Sequence, residues 1–270
     1  MRPLRLLQRA GAAVTRVVSG AVLIAIAVGV VWFAPSPVFF AVAEMLLALA
    51  FVEYTRLAEA GGLPIPVVPA GVATIVASVS VAYAVEAALM AGFVMLAAVT
   101  LTMWRGERDA LGRAAAAVFP MLYLGLPIGA MIALRSLRGR EALFLLLLTV
   151  MVSDTAQYYA GRAFGRRLLA PVISPKKTVA GAVGGFVCGA LILVSAGAWW
   201  LPGLAIAFRA LLGVALVALG VAGDLFESML KRSAGVKDSS TIIPGHGGVL
   251  DRIDALLFAA PVYYIVLKYA

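Results

Sequence analysis

Long apolar stretches alternate with short polar segments along the whole chain. A stretch of about 17 to 25 apolar residues is long enough to cross a bilayer as an α-helix. The third and fourth stretches are nearly continuous, and only Glu86 indicates a tight turn between them. The pattern predicts an all-α integral membrane protein with about nine transmembrane helices in one polytopic bundle. The predicted spans are about 17–34, 38–53, 66–84, 86–104, 114–134, 141–161, 179–200, 203–226 and 249–269.

The composition agrees with this pattern. Hydrophobic residues make up 63% of the 270 residues and charged residues 13%, and the mean hydropathy is +1.04. Such a chain has too little polar surface for a soluble fold. The single cysteine, Cys188, lies in an apolar stretch and can form no internal disulfide, so we interpret it as a packing residue.

The formal net charge of +9 comes from basic residues at the ends of the apolar stretches. With the N-terminus in the cytoplasm, 17 of the 22 basic residues fall on the cytoplasmic side, as the positive-inside rule expects. The other side holds Arg135, Arg138, Arg140, Arg209 and Lys268, and the first three are the main exception. No basic groove with interleaved aromatic residues is visible, so nucleic acid is not an expected partner.

The first apolar stretch follows four arginines and has two interpretations. It is longer than most signal-peptide cores, which favours a retained first helix over a cleaved signal peptide. The segment 1–16 before it interleaves arginines with leucines and could lie along the anionic cytoplasmic leaflet.

The densest polar segment, 223–254, lies between the last two apolar stretches. Asp224 and Glu227 are three residues apart, so they share a helix face, and Asp251 and Asp254 repeat that spacing. The connecting loop allows an antiparallel helical hairpin in which the four carboxylates converge near the membrane boundary, with Asp238 on the loop as a fifth. Oxygen ligands without clustered histidine or cysteine favour a hard ion such as Mg²⁺.

A simpler interpretation of these carboxylates is that they pair with Lys231, Arg232 and Arg252 at a solvated helix end. The turn 244–248 also has two interpretations. Its glycines allow positive φ, and the helix N-terminus that follows offers N–H groups to phosphate. The alternative is an ordinary helix-entry turn. His246 could donate to a phosphate or act as an acid–base group, and a substrate contact is favoured over proton transfer.

A second polar constellation begins inside the sixth stretch. Asp154 lies about 12 Å into that helix from Arg162, a depth at which a carboxylate should face the bundle interior. The segment 174–178, Ser-Pro-Lys-Lys-Thr, places lysines and hydroxyls before the seventh helix and is compatible with a polyphosphate site. The alternative is a positive-inside loop, with the glycines of 181–185 serving only close helix packing.

Together these motifs resemble the signature of the phosphatidate cytidylyltransferases (CDP-diacylglycerol synthases). The resemblance is specific over about 150–270 and only architectural before that. It rests on Ser228-x-x-Lys231-Arg232, Lys237-Asp238, Pro244-Gly245-His246-Gly247-Gly248 and Asp251-Arg252-x-Asp254, with Ser174-Pro175-Lys176-Lys177-Thr178, Gly181 and Gly184-Gly185 upstream. The run Asp154…Tyr158…Gly161-Arg162…Phe164-Gly165 also fits.

The resemblance implies transfer of a cytidylyl group from CTP to phosphatidate, which gives CDP-diacylglycerol and pyrophosphate in phospholipid biosynthesis. It implies Mg²⁺ as cofactor, with room for a second, monovalent cation. CTP, phosphatidate and membrane lipid are the implied partners, and a homodimer is compatible with the small residues on several spans. The implied location is the bacterial inner membrane, with the N-terminus and the active-site loops in the cytoplasm. Residues 1–150 would form a lipid-facing scaffold of N-terminal helices, and residues 151–270 the catalytic helices and loops.

The resemblance also implies roles for individual residues. The catalytic residues would be Asp224, Asp251, Asp254 and Lys237. The pool of metal ligands would be Asp224, Glu227, Asp238, Asp251 and Asp254. The substrate-binding residues would be Asp154, Ser174, Lys176, Lys177, Thr178, Ser228, Lys231, Arg232, His246, Gly247, Gly248 and Arg252.

One position departs from the family pattern. A glutamate usually precedes the glycine of the lysine motif, where this chain has Ala180. If that glutamate assists metal or nucleotide binding, this chain does without it or supplies the group from elsewhere.

Three other functions compete with the cytidylyltransferase hypothesis. A CTP-dependent lipid-alcohol kinase would use similar carboxylates and basic loops, but would transfer the γ-phosphoryl group. A transporter would place polar residues near the bilayer midplane and show repeat symmetry, whereas here they gather in one half of the chain. A catalytically inactive scaffold is the third alternative, motivated by Ala180. The aspartate-rich motif of the CDP-alcohol phosphotransferases is absent from the sequence.

Overall fold

The computed structural model describes residues 19–83, 85–103, 110–243, 245 and 247–270. The predictions for segment 1–16, for the Glu86 side chain and for His246 lie outside these residues. The helices are α1 (Ser19–Phe33), α2 (Ser36–Ala60), α3 (Val67–Tyr83), α4 (Val85–Met103), α5 (Ala110–Pro120), α6 (Leu126–Phe164), α7 (Val179–Ser195), α8 (Gly197–Trp200), α9 (Ile206–Ser233) and α10 (Leu250–Tyr269), with a π-helical turn, Met121–Gly125, between α5 and α6.

The predicted all-α membrane architecture is confirmed in outline. Among the described residues, four helical segments are long and apolar enough to cross a membrane, and three shorter apolar helices accompany them. The four are Ser36–Ala60, Ala110–Phe164, Val179–Trp200 and Ile206–Ser233, and the shorter ones are Ser19–Phe33, Val67–Tyr83 and Ala87–Leu101. The count of about nine spans stays a prediction.

One predicted break between apolar stretches lies within the described residues, and the other falls at residue 84, outside them. Helices α3 and α4, on either side of residue 84, pack against each other. Helix α6 is interrupted at Gly139, whose φ of 83° and ψ of 175° are not helical. A positive φ favours glycine because it has no Cβ. The interruption separates the predicted spans 114–134 and 141–161.

A small antiparallel sheet was not predicted. Strand β1 (Leu168–Ala170) pairs with β2 (Ser174–Thr178) between α6 and α7. The segment is too short for a stable helix, and Pro175 cannot donate a helical hydrogen bond. Thr178 ends the strand and caps α7, because its hydroxyl oxygen accepts a hydrogen bond from the Gly181 amide at 3.1 Å.

The second part of α6 packs with α7, α9 and α10, while α2 and α3 pack against its first part. Small residues permit the α6–α7 contact. A Cβ on Gly185 would lie 2.5 Å from Cγ of Gln157, and one on Gly184 2.5 Å from Cβ of Ala160. The close-packing interpretation of these glycines is therefore confirmed.

The arginines that break the positive-inside pattern bind helix-end carbonyls. Arg135 donates to the Ala34 carbonyl at 2.5 Å, just beyond the end of α1, and Arg140 donates to the Trp32 carbonyl at 2.8 Å. Arg138 donates through Nε and Nη2 to the Leu267 carbonyl, near the end of α10. We call these three arginines and the carbonyls they contact the arginine end. They satisfy groups that a helix C-terminus leaves without internal partners.

Candidate functional site

The site lies where α9 ends and α10 begins. Along α10 it is at the opposite end from Leu267, whose carbonyl belongs to the arginine end. Helix α9 continues to Ser233, beyond the predicted end at 226, so Lys231 is helical. Asp224, Glu227, Ser228 and Lys231 follow the spacing of one helix face. The predicted hairpin is confirmed, because α9 packs on α10 and a Cβ on Gly223 would lie 2.5 Å from the Asp254 carbonyl oxygen.

Lys231 joins the two arms of this hairpin. Its Nζ forms an ion pair with Glu227 on its own helix and another, at 2.5 Å, with Oδ1 of Asp251 on α10. The three side chains are almost fully buried, at 11%, 0% and 5% exposure for Lys231, Glu227 and Asp251. The two carboxylates neutralise this buried cation, so Lys231 is less available to bind a phosphate than the sequence predicted.

Asp251 also fixes the loop that precedes α10. Its Oδ2 accepts hydrogen bonds from the Ser239 amide at 3.0 Å, the Ser239 hydroxyl at 2.8 Å and the Gly248 amide at 2.8 Å. Gly247 has a φ of 77°, and a Cβ there would lie 2.6 Å from the same oxygen. The predicted need for glycine at this turn is therefore confirmed at Gly247.

Glu53, on α2, is part of the site, although it is not among the site residues predicted from the sequence. It is 0% exposed, and each of its oxygens accepts one hydroxyl and one backbone amide. Oε1 accepts from Ser240 at 2.7 Å and from the Val249 amide at 2.9 Å. Oε2 accepts from the Leu250 amide at 2.8 Å and lies 2.9 Å from the Ser239 hydroxyl oxygen, whose single hydrogen is shared between Glu53 and Asp251.

The backbone amides at the start of α10 are therefore occupied. The sequence predicts that they are free for a substrate phosphate, but Gly248 donates to Asp251, and Val249 and Leu250 donate to Glu53. Gly248 is packed so closely that a Cβ would lie 2.1 Å from the Ser239 hydroxyl oxygen. A protein carboxylate thus fills the anion position at this helix N-terminus. The assignment of Gly247 and Gly248 as substrate contacts stays a prediction.

The lysine strand meets the carboxylate hairpin. Nζ of Lys177 on β2 lies 2.6 Å from Oδ2 of Asp224 on α9, and both side chains are partly exposed, at 17% and 34%. Lys176, next to it, is exposed, and Ser174 and Thr178 are half-buried. The two motifs that the sequence analysis singled out separately therefore form one site.

Asp154 lies at the edge of this site. Its side chain keeps exposed surface although it lies among the charged groups of the site, and its Oδ1 accepts a hydrogen bond from Gln157 at 3.0 Å. It interacts electrostatically with Lys177, Asp224 and Arg252. An accessible carboxylate among these charges indicates that the site is open on the α6 side.

The loop between α9 and α10 borders a polar cleft of about 360 Å³. The described residues that line it include Lys237, Asp238 and Arg252, and all three are exposed. Arg232 is also exposed and donates one hydrogen bond to the Val236 carbonyl at 3.0 Å. These four charged groups can meet a soluble ligand without a rearrangement of the helices.

The predicted metal ligands gather in one region without forming a complete shell. Within the described residues, no three Asp, Glu, His or Cys side chains are arranged to hold a metal ion. Asp224 contacts Lys177, Glu227 and Asp251 contact Lys231, and Asp238 lies exposed on the loop. The assignment of these carboxylates to a metal stays a prediction.

One buried oxygen nevertheless fits a cation. Among the described residues, Oε1 of Glu227 has no hydrogen-bond partner although it is buried. Asp254 and Asp251 interact electrostatically with the same carboxylate. A buried carboxylate oxygen without a partner, beside two further carboxylates, matches the oxygen-rich environment that hard divalent ions prefer.

Comparison with known proteins adds an independent finding. A family model described as the cytidylyltransferase family matches residues 14–270. The phosphatidate cytidylyltransferase of Haemophilus influenzae is 47% identical over 131 residues, which are 46% of this chain and 45% of that protein. That of Aquifex aeolicus is 44% identical over 126 residues, which are 46% of each chain. That of Staphylococcus saprophyticus is 38% identical over 154 residues, which are 57% of this chain and 59% of that protein. The chain spans about half the length of the curated relatives it matches.

Proposed function

The chain belongs to the cytidylyltransferase family, and from that premise we propose that it transfers a cytidylyl group from CTP to phosphatidate, giving CDP-diacylglycerol and pyrophosphate. The observation that carries this proposal is the Lys177–Asp224 ion pair. It joins a basic strand suited to phosphates to a carboxylate hairpin suited to a divalent ion. A site for both is what a nucleoside triphosphate requires.

The reaction needs positioning and charge neutralisation and no covalent enzyme intermediate. A phosphatidate oxygen forms a bond to the α-phosphorus of CTP. The bond from that phosphorus to the oxygen bridging to the β-phosphorus breaks, and pyrophosphate leaves with the electron pair. Lys177, whose buried Nζ now faces Asp224, and the exposed Lys237 and Arg252 would hold the phosphates during this exchange.

We propose that Asp224, Glu227 and Asp254 hold Mg²⁺, with Asp238 and Asp251 as the remaining members of the predicted pool. The unpartnered Oε1 of Glu227 supports this choice. A bound Mg²⁺ would neutralise part of the charge on the triphosphate and on the departing pyrophosphate. Asp224 would exchange its contact with Lys177 for the metal, which would free that lysine for a phosphate. A second, monovalent cation is part of the same proposal.

The proposed orientation in the membrane follows from the positions of the site and the arginine end at opposite ends of the bundle. The site lies at the end of the molecule opposite the arginine end, and the excess of basic residues favours a cytoplasmic location for it. We propose about nine spans in a bacterial inner membrane, with residues 1–150 as a scaffold and 151–270 as the catalytic part. A homodimer is included in this proposal.

The test is pyrophosphate release by the purified protein in detergent. Release that requires CTP, phosphatidate and Mg²⁺ together, and that a chelator abolishes reversibly, is the expected result. Release that continues without phosphatidate would point to nucleotide hydrolysis. CDP that appears without pyrophosphate would instead indicate a lipid kinase.

A further inference from the structure

Helix α2 supplies a carboxylate to the site although it belongs to the part of the chain that was predicted to be a scaffold. Glu53 is separated by about 190 residues from the groups that it contacts and is 0% exposed. All four of its hydrogen bonds go to the loop before α10 or to the first turn of α10. A buried carboxylate is retained only where such bonds compensate its loss of water.

The contacts of Glu53 continue towards the reacting centre. The Ser239 hydroxyl oxygen lies 2.9 Å from Oε2 of Glu53 and 2.8 Å from Oδ2 of Asp251. Asp251 in turn contacts Lys231, which contacts Glu227. A displacement of Glu53 would therefore move both the first turn of α10 and the carboxylates on the hairpin.

We propose that Glu53 is a positioning residue for the reaction. Its carboxylate anchors the first turn of α10 and, through Ser239, holds Asp251 and Lys231 in the arrangement that cytidylyl transfer requires. This inference rests on the proposed function. It also assigns to α2 a role beyond forming the wall of the membrane domain.

The geometry explains why neighbouring residues cannot take over this role. Two amides and two hydroxyls contact Glu53, and a carboxylate has two oxygens that can each accept two hydrogen bonds. Glutamine would place an NH₂ group against two donors, so about half of the contacts would be lost. A Cβ on Gly248 would lie 2.4 Å from Oε2 of Glu53, so no larger side chain at that position can approach.

The test compares Glu53→Gln with Glu44→Gln, a matched change on the same helix. Glu44 accepts a hydrogen bond from Ser78 at 2.8 Å and is nine residues from Glu53 along α2. The first measurement is hydrogen exchange of the peptide that contains Val249 and Leu250. We expect exchange in this peptide to be about tenfold or more faster in Glu53→Gln and unchanged in Glu44→Gln, because only the first variant replaces an acceptor oxygen of these amides with an NH₂ group.

The second measurement is steady-state kinetics. Glu53→Gln should lower kcat by about 10- to 100-fold with the KM for CTP changed by less than about threefold, since misplaced catalytic groups weaken the transition state more than substrate binding. Glu44→Gln should leave both constants within about twofold of the wild type. If Glu53→Gln cannot be purified folded, Ser240→Ala removes one of the four contacts and should lower kcat by about two- to fivefold.

A double variant separates positioning from general destabilisation. Glu53→Gln combined with Ser239→Ala should lower kcat by less than the product of the two single effects, because the two residues share one contact. Multiplied effects on kcat would overturn the proposal, and so would wild-type kcat or wild-type exchange in Glu53→Gln. If the wild type makes no nucleotide-bearing lipid, the proposed function fails, while the exchange measurement still shows whether Glu53 anchors α10.

Discussion

The two ends of the helical bundle use charge in different ways. At the arginine end, Arg135, Arg138 and Arg140 donate to backbone carbonyls at or near the ends of α1 and α10. At the site end, Lys177 and Lys231 contact carboxylates on α9 and α10. The first end therefore satisfies backbone groups, and the second pairs charged side chains with one another.

This difference indicates where function lies. A cation that binds a helix-end carbonyl stabilises the fold and has no reason to change partner. A carboxylate that holds a lysine at a partly exposed position can exchange it for a metal ion, as we propose for Asp224. We therefore expect substitutions at the arginine end to change stability and substitutions at the site end to change activity.

The largest effect should come from Asp224→Asn. The substitution keeps the shape of the side chain and removes the charge that is proposed to bind Mg²⁺, so kcat should fall by about 100- to 1,000-fold. The unfolding temperature should change by only a few degrees, because the side chain is 34% exposed. Pyrophosphate release and thermal unfolding measure the two quantities. Glu141→Gln, beside Arg140 at the other end, is the control and should remain fully active.

A smaller loss is expected from Lys177→Gln, with Lys176→Gln as the matched neighbour. Lys177 faces Asp224, whereas Lys176 is exposed on the same strand. Removing the inner lysine should lower kcat/KM for CTP by about 10- to 100-fold, because a charge-assisted contact to phosphate is lost. The outer substitution should lower it by less than about fivefold. Equal effects of the two changes would contradict a specific role for Lys177.

Arg135→Ala should produce the opposite phenotype. Arg135 donates to the Ala34 carbonyl and its guanidinium lies 4.6 Å from the centre of the Phe39 ring. Loss of both contacts should lower the free energy of unfolding by about 1–2 kcal/mol. The kcat of the folded protein should not change. Arg232→Ala provides the comparison at the site end, where we expect weaker substrate binding with little change in stability.

The smallest expected effect is a gain from Ala180→Glu. Ala180 lies in the first turn of α7, next to the strand that carries Lys177. An acidic side chain there is favoured by the helix dipole and would restore the group that the family pattern usually has. We expect kcat/KM to rise by about two- to fivefold in steady-state assays. A loss of activity would mean that the site has adapted to the smaller residue.

The sequence predicted the hairpin because its signal is local. Asp224 with Glu227, and Asp251 with Asp254, have the spacing of a helix face. Residue 247 is glycine because its φ is positive. The α3–α4 boundary and the interruption of α6 could be predicted as well, since charged residues or glycine interrupt otherwise apolar stretches.

Glu53 could not be predicted in the same way, because its partners are distant in sequence. It is the last residue of the predicted span 38–53, whereas α2 continues to Ala60. Tyr54 and Leu57, which are buried, carry the weak signal that the helix continues. The occupied amides of α10 were missed for the same reason, since their acceptor comes from another helix.

The most direct test of the central claim follows the phosphorus atoms of CTP. The purified protein is incubated with phosphatidate and Mg²⁺, and with CTP labelled at either the α- or the γ-phosphorus. The account predicts that the α-label enters the lipid and the γ-label enters pyrophosphate, and that both transfers fall in Asp224→Asn. A γ-label in the lipid, or a lipid without either label, would contradict it.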